Sequence, residues 1–179
     1  MYILSQEKES YYLYRGLRDV VSEGTRFAGI SVGGGSTEIV IGNTEKLTEK
    51  LEEDIRMPFG INHLRNTFSD EQGVLQWDNI DAYLESEINV GSQDVDCFFL
   101  GGVFDFYNIV GPQIGLETVE CSLKDHPFQI DIKTFEEQAI ALRSISIESL
   151  RKLYAHDPPY VDNFVLGQSV YCMVVKSSV

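Results

Sequence analysis

Apolar side chains at Tyr11, Leu13, Tyr14, Leu17 and Val21 fall on one broad face when residues 7–21 are wound as a helix, with Gly24 as its stop. Two apolar, partly β-branched runs follow at residues 27–32 and 37–41. They predict two strands joined by a glycine turn, with Gly42-Asn43 as the next turn. Leu47, Leu51 and Ile55 then recur every fourth residue like a helix, yet a third strand there would complete a meander, so pattern and topology disagree. Residues 60–68 predict a short helix. Ser69-Asp70-Glu71-Gln72 has the spacing of a capping box and predicts a longer helix running towards Asn89. Residues 95–100 form a compact apolar strand ending in Gly101-Gly102. Thr134 and Glu137 repeat the capping-box spacing ahead of a helix to about Ile145, and Ser146 opens another. Asp157-Pro158 opens a last helix whose buried side carries Val161, Phe164, Val165, Tyr171, Cys172 and Val175.

In order, a meander around a glycine turn, then helices and a further strand ending in Gly-Gly, make an α/β lobe of ribonuclease-H-like type, a mixed sheet flanked by helices. The 179 residues, 43% apolar, suffice for one such lobe with a sizeable core. Fourteen basic against 28 acidic residues give a net charge of −14, which repels nucleic acids, anionic membranes and polyphosphates at long range. A phosphate ligand must therefore be held locally, by N–H groups, by a divalent cation or by basic residues on another surface. Cys97, Cys121 and Cys172 are odd in number and lie outside any Cys-x-x-Cys pair, so they read as reduced thiols of a cytoplasmic protein. No run approaches the roughly 18 apolar residues of a membrane span. His63, His126 and His156 lack ligand spacing and read as ordinary surface or partly buried imidazoles. The acidic stretch 49–54 reads as a solvated face.

The chemistry concentrates in Ser31-Val32-Gly33-Gly34-Gly35-Ser36-Thr37-Glu38. Three glycines let main-chain N–H groups close on an anion, a hydroxyl pair follows, and a carboxylate stands where it could hold a metal or a water. This is a phosphate-handling turn at a hairpin tip.

Three blocks carry a family resemblance: Leu4-Ser5-Gln6-Glu7-Lys8-Glu9-Ser10, then residues 30–42 around the octapeptide, then Met57-Pro58-Phe59-Gly60. In order and spacing they resemble the Ppx/GppA phosphatases, the exopolyphosphatases and guanosine pentaphosphate phosphohydrolases of the actin-like ATPase superfamily. Weaker similarity continues through Phe99-Leu100-Gly101-Gly102 and the closing helices. The resemblance implies the second of two actin-like lobes, with residues 1–22 as the end of the preceding lobe and crossover helix, residues 23–179 as the second lobe, and the N-terminal lobe absent. It implies magnesium-dependent hydrolysis of a terminal phosphoanhydride, of inorganic polyphosphate or guanosine pentaphosphate, by the full-length parent. Glu9 matches the catalytic glutamate that handles the attacking water. Gly33, Gly34, Gly35, Ser36 and Thr37 match a phosphate loop, and Glu38 matches a metal-holding acid. Magnesium suits hard carboxylate and phosphate oxygens.

The departures from that pattern are chemical. Ser31 stands where the family has an aspartate, so a charged metal ligand has become a neutral hydroxyl. Gln6 replaces a glycine, Lys8 replaces an acid beside Glu9, and Val103-Phe104 follow Gly101-Gly102 in place of a small hydroxyl residue. They favour a second expectation, a catalytically degenerate lobe that binds phosphate, nucleotide or alarmone without turnover. Tyr11, Tyr12 and Tyr14 form an aromatic stripe expected to pack against the neighbouring lobe. An isolated lobe exposes that face, so a homodimer is expected. Sedimentation over a wide concentration range should show a dimer that dissociates on dilution; a constant monomer would exclude it.

Overall fold

The computed structural model describes residues 5–44, 50–101, 110–115, 119–120, 128–129, 132–155 and 158–178. Helix α1 (Gln6–Arg18) is followed by strands β1 (Arg26–Val32), β2 (Thr37–Asn43) and β3 (Lys50–Met57). Helices α2 (Ile61–Phe68) and α3 (Trp77–Glu87) precede strand β4 (Cys97–Leu100). A 3-10 turn (Gly111–Ile114) and the two-residue strands β5 (Val119–Glu120) and β6 (Phe128–Gln129) lead to α4 (Ile132–Arg143), α5 (Ile147–Leu153) and α6 (Pro158–Ser178). The main sheet runs β3-β2-β1-β4, with the first three strands antiparallel and β4 parallel to β1. This is the expected mixed sheet flanked by helices.

Strand alternation sorts side chains onto two faces. Ala28, Ile30, Ile39, Ile41 and Met57 enter the larger core, with Leu64 of α2, Ile80 and Leu84 of α3, Leu142 of α4 and the buried side of α6. Phe27 and Val40 enter a smaller one under α1, where the Tyr14 ring stacks on Phe27 at 5.9 Å. A Cβ on Gly29 would stand 2.2 Å from Leu17 Cδ1, so the helix sits directly on that strand. Tyr14 is thus buried against its own sheet, while Tyr11 and Tyr12 are exposed. On the opposite side, Arg143 of α4 stacks over Trp77 at 4.6 Å, pairs with both carboxylate oxygens of Asp81 and donates to Ser169 Oγ, tying three helices together. No described helix is long and apolar enough to cross a membrane.

Several elements differ from the sequence pattern for identifiable reasons. Helix α1 ends at Arg18 rather than near Val21, and Gly24 instead takes a left-handed φ of 81° in the following turn. Residues 50–57 are the strand, not the helix. A register shift between Ile41 and Gly42 lets β3 bulge, so Leu51 faces α1 while Ile55 faces the larger core, although four residues apart they would share a face of a regular strand. The helical spacing was therefore a bulge; Leu47 lies outside the described residues. The capping box at 69–72 does not open a helix. Asp70 Oδ1 accepts the N–H groups of Gln72 and Val74, Gly73 turns left-handed at φ 79°, and Ser69 bridges Leu75, so the helix starts only at Trp77 and stops at Glu87. Thr134 likewise lies inside α4, which starts two residues earlier. Ser146 does cap α5, its Oγ accepting from Ser149 N–H. Asp157 lies outside the described residues.

Leu64 of α2 is fully buried in the larger core. Leu64→Ala should lower unfolding free energy by about 2–5 kcal/mol in urea denaturation; a loss below about 1 kcal/mol would mean that α2 is not docked as described.

Candidate active site

Strand β1 ends at Val32 and β2 begins at Thr37, leaving Gly33–Ser36 as a four-residue tip closed by Gly33 N–H donating to Ser36 O at 2.9 Å. Two further bonds orient it. Ile61 N–H donates to Gly33 O at 2.9 Å and Asn62 N–H to Gly34 O at 2.8 Å. These donors belong to the first turn of α2, where helical N–H groups have no intrahelical acceptor. No peptide bond is cis, so in each of these units the N–H points opposite to its C=O. The N–H groups of Gly34 and Gly35 consequently point away from α2, and among the described residues no acceptor meets either. Two successive outward N–H groups form a concavity for an anion.

The tip can approach α2 only because Gly60 has no side chain. A Cβ there would lie 2.3 Å from Gly33 O and 2.9 Å from Ser36 N. Thr37 Oγ1 donates to Phe59 O at 3.0 Å and pins the start of β2 to the same segment.

Below the tip, strand register assembles a row. Ser31 faces Glu38 across β1–β2, and Glu38 faces Arg56 across β2–β3. By alternation all three lie on the face that carries Phe27 and Val40, the face covered by α1. Helix α2 packs on the other face through Leu64, so the outward N–H groups point from the tip away from the larger core. Glu38 is 3% exposed and its Oε1 has no hydrogen-bond partner. An unmatched buried carboxylate oxygen is costly unless a cation or a donor meets it. Arg56, next to it, turns instead to Asp54, with Nε donating to Oδ1 at 3.1 Å and a second bond from Nη2 to Oδ2.

On the α2 side of the tip lies a cavity of about 270 Å³ bounded by Gly33, Gly34, Asn62, Asn163, Phe164 and Tyr171. Tyr171 donates to Gly101 O, and burial pushes its hydroxyl up to about 12 while a backbone hydrogen bond at Val32 pulls it down. This tyrosine of α6 thereby fastens the ends of β1 and β4. Arg65 donates to Asn163 Oδ1 at 2.9 Å and links α2 to α6 at the rim.

The residues singled out by sequence divide accordingly. Gly33, Gly34, Gly35 and Ser36 share the tip, and Ser31 and Glu38 are register partners just below it. Glu9 is exposed in the opening turns of α1, the helix that covers their face. Thr37 departs from expectation: it is fully buried and its hydroxyl proton is committed to Phe59 O, so its side chain braces the tip rather than offering a donor to a phosphate. Gly102, Val103 and Phe104 lie outside the described residues, as do Cys121, His126 and His156. Cys97 and Cys172 are free, and burial drives their thiols up to about 11 and about 12, which disfavours the thiolate. His63 is exposed, its ring against Tyr83 at 5.6 Å. The acidic stretch is partly engaged: Glu52 accepts from Arg26 and Asn43, and Asp54 from Arg56. Sequence reasoning missed Arg56 and the two α2 donors, and it gave Gly60 a place in a family block but no role against the tip. Only a correct strand register for residues 50–57 would have put Arg56 beside Glu38.

The sequence model of the Ppx/GppA phosphatase family matches residues 1–89. Among solved structures, the fold is similar to that of an exopolyphosphatase from Cytophaga hutchinsonii, at TM-score 0.70 and 16% identity, covering 97% of this chain and 57% of that one. It is also similar to a Ppx/GppA phosphatase from Aquifex aeolicus, at TM-score 0.68 and 17% identity over 94% and 55% of the two chains. A third, an exopolyphosphatase-like protein, aligns at TM-score 0.71 and 16% identity over 97% and 57%. The chain thus spans a little over half the length of these structures. No curated protein sequence matches it.

The packing at Gly60 gives a contrast between two glycines. Gly60→Ala should displace the tip and cost about 1–3 kcal/mol, because its Cβ meets main chain rather than a movable side chain. Gly35→Ala faces open space and should cost less than about 0.5 kcal/mol. Thermal unfolding of both variants checks this, and equal losses would contradict the described contact.

Proposed function

Through residues 1–89 the chain belongs to the Ppx/GppA phosphatase family, and from that premise we propose that it forms one wall of a cleft in which a terminal phosphoanhydride is hydrolysed, the substrate being polyphosphate or guanosine pentaphosphate. The observation that carries this reading is the outward pair of N–H groups at Gly34 and Gly35, above the Ser31–Glu38 pair and on the side of the sheet that α1 covers. Phosphoanhydride hydrolysis asks the protein mainly to position a water and to neutralise charge. The tip N–H groups bind equatorial oxygens of the attacked phosphate, with Ser36 contributing its hydroxyl. Glu9 orients the water and takes its proton.

A magnesium ion fits this donor set. Glu38 Oε1 is buried and unpartnered, and Ser31 faces it with a hydroxyl. Among the described residues no three His, Cys, Asp or Glu side chains gather as ligands, so the ion would complete its shell with phosphate oxygens and water. Bound there, it would neutralise phosphate charge. Ser31 also favours a second reading, phosphate binding without turnover, because a neutral hydroxyl holds the ion less firmly than a carboxylate.

Phosphate release by the full-length protein from each substrate separates the two. In the first reading release requires magnesium, and Glu9→Gln lowers kcat about a hundredfold or more while tripolyphosphate still binds. Binding without release supports the second. Release that Glu9→Gln leaves unchanged overturns the role given to Glu9.

A further inference from the structure

Arg56 stands opposite Glu38 in the row that begins with Ser31. Facing residues of an antiparallel pair carry their side chains on one face with Cβ atoms about 5 Å apart. The guanidinium is therefore within reach of a buried carboxylate that has an unpartnered oxygen, and yet it grips Asp54 two residues along its own strand. Arg56 is 33% exposed and Asp54 21%. Ion pairs at such exposure hold weakly, so a stronger anion can draw the guanidinium away.

We propose that Arg56 is a phosphate-binding residue of this site, one that leaves Asp54 to take the second or third phosphate of a chain whose first phosphate sits on the Gly34 and Gly35 N–H groups. This rests on the reading of the tip as a phosphate cradle. A strand rises about 3.3 Å per residue and its neighbour lies about 4.8 Å away, so Arg56 stands one strand over and two or three residues below the tip. A short phosphate chain and an extended arginine together span that separation. Charge points the same way. The molecule carries −14 overall, and on this face one guanidinium, Arg56, stands among two carboxylates, Glu38 and Asp54, with Ser31 neutral. Arg56 therefore supplies part of the compensation that a polyanion needs there, and a divalent cation the rest. An arginine suits the task because its planar fork binds two phosphate oxygens at once.

The test is calorimetric binding of tripolyphosphate to the 179-residue chain, in EDTA and in magnesium, with orthophosphate as the short probe. Arg56→Gln should weaken tripolyphosphate binding in EDTA about tenfold, the loss of one charge-assisted bond, and change orthophosphate binding less than about twofold. Asp54→Asn, which frees the guanidinium, should strengthen tripolyphosphate binding severalfold, a gain that misfolding cannot produce. Wild-type binding with Arg56→Gln unchanged and no gain in Asp54→Asn overturns the role of Arg56. Absence of wild-type binding in both buffers means that the tip is not a phosphate cradle, and the inference falls with that reading.

Discussion

Two hydrogen bonds from the first turn of α2 to the carbonyls of Gly33 and Gly34 set the orientation of the glycine tip on which the candidate site depends. A helix N-terminus has donors to spare and a tight hairpin tip has exposed carbonyls, so joining them satisfies both without a side chain. Each bond is worth only about 1 kcal/mol net. Their larger effect is geometric, because a peptide plane whose carbonyl is fixed towards the helix must direct its N–H the other way. Gly60 makes the approach possible, Thr37 holds the strand end to Phe59, and Leu64 anchors α2 in the larger core.

The sheet gives the site its two sides. On the α1 side, register brings a hydroxyl, a buried carboxylate and a guanidinium into one row. On the α2 side, the tip glycines, two amide side chains and aromatic rings bound a cavity whose rim is fastened by Tyr171 and Arg65. The tip borders both, since its backbone turns carbonyls towards α2 and N–H groups away from it. Glu38 pays a desolvation cost that a plain hairpin would avoid, and its unmatched oxygen sets it apart from Glu52 and Asp54, whose carboxylates are paired with Arg26 and Arg56.

Much of this was legible in the chain. Two β-branched runs flanking a four-residue glycine turn prescribe a hairpin, and the register of the folded strands then makes Ser31 and Glu38 partners. The third strand was not legible, because a bulge shifts the register near Gly42 and puts Leu51 and Ile55, which would share a face of a regular strand, on opposite faces. The segment 69–72 misled for a different reason. A capping box and an Asx turn use the same short polar side chain, and the left-handed Gly73 decides between them.

From the sequence came the hairpin, its glycine tip and the kinship with the Ppx/GppA phosphatases, since these depend on residues close together in the chain and on a period-2 pattern. The tertiary structure alone decided which way the tip N–H groups face, that the Thr37 hydroxyl is spent on Phe59, and that Arg56 lies beside Glu38. Those outcomes depend on the docking of α2 and on the register of a bulged strand, contacts across about 20 residues or more that no local pattern encodes.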